Sequence, residues 1–143
     1  MNMMTKIVVL AVSVGAVSAP AFAAVPEVVH AKLWNHDGRM GITTDVTTVR
    51  AGKVDFEVVN DSGDLAHEML VVKVKSFDEV LPYNDKNASV VEDETNDFGE
   101  VSELEPGQSG SLEVNLKPGK YVLLCNVPGH YKSHMFADLL VTQ

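Results

Sequence analysis

Cysteine is almost missing from this sequence: Cys125 is the only one in 143 residues. A single thiol excludes an intrachain disulfide, so the fold must rest on its packing. Basic residues are also scarce, with 11 Lys and Arg against 20 Asp and Glu and a formal net charge of −9. That balance disfavours nucleic-acid binding, because neutralising phosphates needs a basic face. Beyond the N-terminus, no apolar run approaches the roughly 20 residues that a spanning helix requires.

What is present at the N-terminus is an export signal by pattern. Met1 to Lys6 is a short stretch with one positive charge, Ile7 to Val17 is an apolar run, and Ala21-Phe22-Ala23 has the small-x-small form of a cleavage site. The apolar run is too short for a membrane anchor. The pattern predicts a signal peptide over 1–23 and a mature domain over 24–143, soluble and exported, as to a periplasm. A free thiol in an oxidising compartment is a liability, so a lone Cys125 there points to a thiol with a task.

The negative charge is concentrated. Residues 76–105 carry Asp78, Glu79, Asp85, Glu92, Asp93, Glu94, Asp97, Glu100, Glu103 and Glu105 against a single base, Lys86. The rest of the mature chain is close to neutral, which suits a protein partner with a basic docking face. An equally simple reading is a solvated loop that keeps the protein soluble.

The mature region reads as β. Val54, Phe56 and Val58 alternate with Asp55 and Glu57, and similar short runs occur at 28–34, 42–49, 69–74, 110–116, 121–125 and 136–141. Period-two alternation marks half-buried strands. Turn pairs such as Asp37-Gly38, Pro106-Gly107, Pro118-Gly119 and Pro128-Gly129 separate them. About seven short strands predict an all-β antiparallel sandwich. The stretch 76–105 interrupts the pattern and is expected to be a long, partly helical excursion, with Ser76 and Glu79 placed as a capping box and Pro82 as a stop.

The chemistry lies near the C-terminus. Cys125 ends a strand, a Pro128-Gly129 turn presents His130, and Met135 opens the last strand. A thiolate, an imidazole and a thioether on one loop suit copper in a trigonal site with a weak axial ligand. A second imidazole must come from elsewhere. His67 follows the 60–66 loop and opens a strand. His30 lies inside the first run, His36 in a turn, and His134 on the ligand loop itself. Met135 is in phase with Ala137, Leu139 and Val141, which places it on the core side and His134 on the other. The same test leaves His67 undecided, since its phase joins Met69 and Val71 with Lys73.

The segment Cys125-Asn126-Val127-Pro128-Gly129-His130, with Met135 five residues on and His67 upstream, resembles the cupredoxin (type 1 blue copper) family. Val127-Pro128-Gly129-His130 is similar to the Phe-Pro-Gly-His of azurins. The Cys-x4-His-x4-Met spacing resembles rusticyanin-type proteins more than plastocyanins. The resemblance implies a Greek-key β-sandwich holding one copper ion through His67, Cys125, His130 and an axial Met135. It implies a single-electron carrier, a monomer shuttling between redox proteins such as a c-type cytochrome and a reductase or oxidase. The alternative is a copper chaperone or storage protein on the same fold. The sequence departs from the family at Glu68, where Asn is common, in lacking the azurin disulfide, and in its acidic insertion. A two-copper site would need a second cysteine. A hydrolase built on Cys125 and His130 lacks an evident orienting residue and would leave Met135 unexplained, so no enzymatic activity is expected. Pro128 has no N–H to give the sulfur, which is expected to raise the potential.

Overall fold

The computed structural model describes residues 25–143; the proposed signal peptide lies outside them. Eleven strands run in the order β1 (Glu27–His36), β2 (Arg39–Thr44), β3 (Thr48–Arg50), β4 (Gly52–Asn60), β5 (His67–Val74), β6 (Tyr83–Asn84), β7 (Ser89–Val90), β8 (Asn96–Leu104), β9 (Ser109–Leu116), β10 (Gly119–Leu124) and β11 (Phe136–Thr142). They form a four-stranded sheet β2-β1-β4-β9, a five-stranded sheet β3-β11-β10-β5-β8, and a small hairpin β6-β7. The class is the expected all-β sandwich, but its sheets are mixed, since β1 runs parallel to β4 and β3 parallel to β11.

Alternation explains most of this. Val29, Ala31 and Leu33 of β1 and Val54, Phe56 and Val58 of β4 point inward and are buried. They meet Met69 and Val71 of β5, Tyr121 and Leu123 of β10, and Leu139 and Val141 of β11 in one core between the sheets. The strand read as 42–49 is in fact two short ones, β2 in one sheet and β3 in the other.

The acidic stretch is more ordered than its composition suggests. Its start is a turn instead of a capped helix: Glu79 N–H donates to Ser76 O at 3.0 Å and the Glu79 carboxylate accepts Lys75 N–H at 2.5 Å. Its one helical feature is a 3-10 turn over Glu92–Glu94. Its last third is strand β8, paired to β5. On β5 the two steps from His67 to Met69 face three on β8, Leu104 to Val101, and Leu70 to Val72 again faces three, Glu100 to Asp97. Two bulges therefore space the inward residues Phe98, Val101 and Leu104 every third position, which hides the strand from a period-two reading.

The middle of the stretch covers the back of the larger sheet. Leu81 and Val90 pack with Leu70, Val72 and Val74 of β5 and with Val122 and Leu124 of β10 in a second, smaller core. Strand β5 is thus buried on both faces, which is why its apolar run is continuous and its phase ambiguous.

Candidate metal centre

Two loops at one end of the sandwich gather the site. Residues 61–66 lead into His67 at the start of β5, and their shape is set by Asn60. Its Nδ2 donates to Leu65 O at 2.8 Å and to Leu104 O at 2.7 Å, and its Oδ1 accepts Ser62 N–H at 3.0 Å. The second loop starts at Cys125, just past β10. Gly129 takes φ 86, a conformation that glycine adopts without strain. The 3-10 turn Tyr131–Ser133 follows, and His134 ends it in the left-handed region at φ 65. The loop then closes on itself: Cys125 N–H donates to Met135 O and Met135 N–H to His130 O, each at 3.1 Å.

The side chains that this folding brings together are His67, Cys125 and His130. Their donor atoms all lie within 4.8 Å of one another. His67 Nδ1 is 3.2 Å from His130 Nδ1, and Cys125 Sγ is 3.3 Å from His130 Nδ1 and 3.9 Å from His67 Nδ1. His67, Cys125 and Met135 are fully buried, while His130 keeps 9% of its surface exposed. The other imidazoles stand apart. His30 is an exposed partner of Asp45 and Glu57, His36 stacks on Trp34, and His134 is exposed beside Phe136.

The surroundings prepare these donors. His67 Nε2 donates to Asn35 Oδ1 at 3.3 Å, and Asn35 Nδ2 in turn donates to Asp64 Oδ1 at 2.9 Å. With its proton held on Nε2, His67 presents the lone pair of Nδ1 to the site. Burial, then repulsion from His130, pushes His67 down to about 4 against an opposing pull from Asp64. Burial also lowers His130. Both rings are thus neutral at pH 7. Burial pushes the Cys125 thiol up to about 11 although the Glu68 and Val127 amides both donate to its sulfur, Glu68 N–H at 3.5 Å. The sulfur thus keeps two amide donors beside a Pro128 that offers none. Glu68 is pushed up to about 7 by burial and then by Glu100, Glu92 and Glu103.

The donor set can be tested against an ion. Bonds of about 2.0 Å to nitrogen and about 2.3 Å to sulfur, splayed by about 120°, put nitrogens roughly 3.5 Å apart and nitrogen and sulfur roughly 3.7 Å apart. The observed separations fall around these values, so a metal fits with small side-chain adjustments. One thiol, two imidazoles and a nearby thioether are the ligand chemistry of copper in a trigonal site.

A β-sandwich whose end gathers two histidines, a cysteine and a methionine in this way is a cupredoxin, a blue copper fold. The sulfocyanin (SoxE) domain model matches residues 49–143, and the chain belongs to that family. Solved structures share the fold. Auracyanin B is 24% identical with a TM-score of 0.61, over 85% of this chain and 94% of that one. A dithionite-reduced auracyanin from the photosynthetic bacterium Roseiflexus castenholzii is 21% identical with a TM-score of 0.58, over 85% of this chain and 100% of that one. Rusticyanin from Thiobacillus ferrooxidans is 16% identical with a TM-score of 0.60, over 82% of this chain and 79% of that one. No curated protein matches the sequence.

Sequence reasoning passed over Asn35, Asn60 and Asn126, which orient the site without being donors to it. Asn60 was legible only as the start of the 60–66 loop, and Asn126 only as the neighbour of Cys125.

Proposed function

We propose that the protein is a single-electron carrier in which His67, Cys125, His130 and Met135 would hold one copper ion. The observation that carries this reading is the convergence of one thiol and two neutral imidazoles, all buried, on one point. Copper held there supplies a Cu(I)/Cu(II) couple. The chain supplies a site that does not need to rearrange. Asn35 holds the His67 ring, the paired backbones of Cys125 and Met135 fix the loop, and the apolar shell keeps water off the sulfur. His130 is the one donor reaching the surface, beside Val127, Pro128 and Tyr131, and so serves as the port for electrons.

The deciding experiment is to load residues 24–143 with Cu(II) and record visible spectra of the wild type and Cys125→Ser. An intense thiolate-to-copper charge-transfer band is expected in the wild type and should vanish in the variant. Copper bound without that band would remove the carrier in favour of a chaperone or storage protein.

The reading extends to setting and partners. Residues 1–23 act as a signal peptide, residues 24–143 form the working domain, and the protein is exported as a monomer, as to a periplasm. No helix among the described residues is long and apolar enough to cross a membrane. The partner is a redox protein with a basic face, such as a c-type cytochrome or a reductase or oxidase, steered by the acids of 76–105. Its association with a basic cytochrome should slow at least tenfold as ionic strength rises from about 0.01 M to about 0.15 M, because the Debye length shrinks from about 30 Å to about 8 Å. A rate indifferent to salt would dismiss the steering.

A further inference from the structure

The excursion between β5 and β8 grips the metal-site loop through groups that play no part as copper donors. Asn126, one residue beyond Cys125, is 7% exposed, and its side chain bonds only to the excursion. Its Oδ1 accepts Val90 N–H at 2.6 Å, and its Nδ2 donates to Val90 O at 3.1 Å and to the Glu92 carboxylate at 2.7 Å. One side-chain amide thus satisfies both backbone groups of Val90, as a neighbouring strand would. Three residues on, Gly129 N–H donates to Ala88 O at 2.7 Å. Three more on, Lys132 Nζ sits 2.6 Å from Asp85 Oδ1 and 4.1 Å from the centre of the Tyr83 ring. Tyr131 packs against the second core and stands 6.3 Å from Tyr83, ring centre to ring centre.

The ties are spaced along the whole loop from Cys125 to the 3-10 turn. They fall on a hairpin that is itself anchored, since Leu81 and Val90 pack onto the backs of β5 and β10, the strands that deliver His67 and Cys125. Ala88 is held at φ 54, a conformation that costs a residue other than glycine, so the hairpin is kept in shape by its surroundings. A loop held in this way does not have to be ordered when its ligand arrives, and that saving appears as affinity.

We propose that the hairpin Tyr83–Val90 is a strap that holds the Cys125–His130 loop in metal-binding geometry, with Asn126 as its positioning residue. This rests on the copper reading given above. The strap makes the excursion part of the site's construction as well as a charged surface.

The test compares the wild type with Asn126→Ala and with Val54→Ala, a core substitution at the far end of β4. Copper affinity is read by competition with a chelator, the visible band by absorption, and stability by thermal unfolding of the metal-free proteins. Asn126→Ala should lose roughly 10- to 100-fold in copper affinity, as for the loss of a partner that orients a metal ligand, and its band should change shape. Val54→Ala should unfold at a lower temperature yet keep both affinity and band. Asn126→Asp, which retains the bond from Val90 N–H but not the two donations, should fall between, and it takes the place of the alanine variant if that fails to fold. Wild-type affinity and band in a folded Asn126 variant overturn the strap, as does an equal loss in Val54→Ala. A wild type without a thiolate band overturns the copper reading instead, and the strap falls with it.

Discussion

Replacing Asn60 with alanine will lower the stability of the metal-free protein by about 3 kcal/mol. The side chain is completely buried and makes three hydrogen bonds, all to backbone groups: Leu65 O, Leu104 O and Ser62 N–H. A buried group left without its partner costs about 1–3 kcal/mol. Ser62 can return some of this to Leu65 O, which its hydroxyl already reaches at 2.7 Å, so the total stays near the lower end of the roughly 3–9 kcal/mol that three such groups would cost. For a domain of this size the loss corresponds to a fall of roughly 10–15 °C in melting temperature, measurable by circular dichroism. Asn60→Asp should do no better, because a carboxylate would place an acceptor against two carbonyls. A fall of only a degree or two would mean that water re-pairs these groups and that Asn60 does not shape the loop before His67.

The second large effect is on copper binding as pH changes. With His67 near 4 and His130 lowered from its ordinary value, both rings have lost their protons by pH 7.5. The thiol, pushed up to about 11, has not. Between these limits one proton leaves for each ion that binds, and it comes from Cys125. The deprotonated form is the one that binds, so affinity rises with pH, about tenfold per unit, or roughly 100-fold from pH 7.5 to 9.5. Chelator competition at several pH values measures the slope. A flat profile would show that the thiol is not the ligand or is already ionised in the free protein.

How much of this was legible beforehand depended on which physical signal each residue carried. The strands over β1, β4, β9 and β11 announce themselves because one face of each meets the core and the other meets water, whereas β10 is recognised by its continuous apolar run, Val122 and Leu124 being covered by the second core. Met135 and His134 were separable by phase for the same reason, and the structure buries the first and exposes the second. His67 was not separable, because β5 is covered on both sides and its alternation is erased by the second core. Strand β8 was invisible because its bulges replace a period of two with a spacing of three and its exposed positions are acidic. The candidate donors stood out by residue type and spacing, since thiol, imidazole and thioether have few joint uses. The asparagines that arrange the site did not, because a side-chain amide bonding to a backbone distant in sequence leaves no local pattern. Asn126 meets Val90 across 36 residues and Asn60 meets Leu104 across 44.

Strand β8 also lies at the end of the five-stranded sheet. A free strand edge is a template on which another chain can add itself. Here Asp97, Glu100 and Glu103 lie along that edge and the two bulges break its regularity. A second copy approaching edge to edge meets a row of charges of its own sign and a backbone out of step with its own. The acids and the bulges of β8 therefore work together against the addition of a second copy along this edge of the sheet.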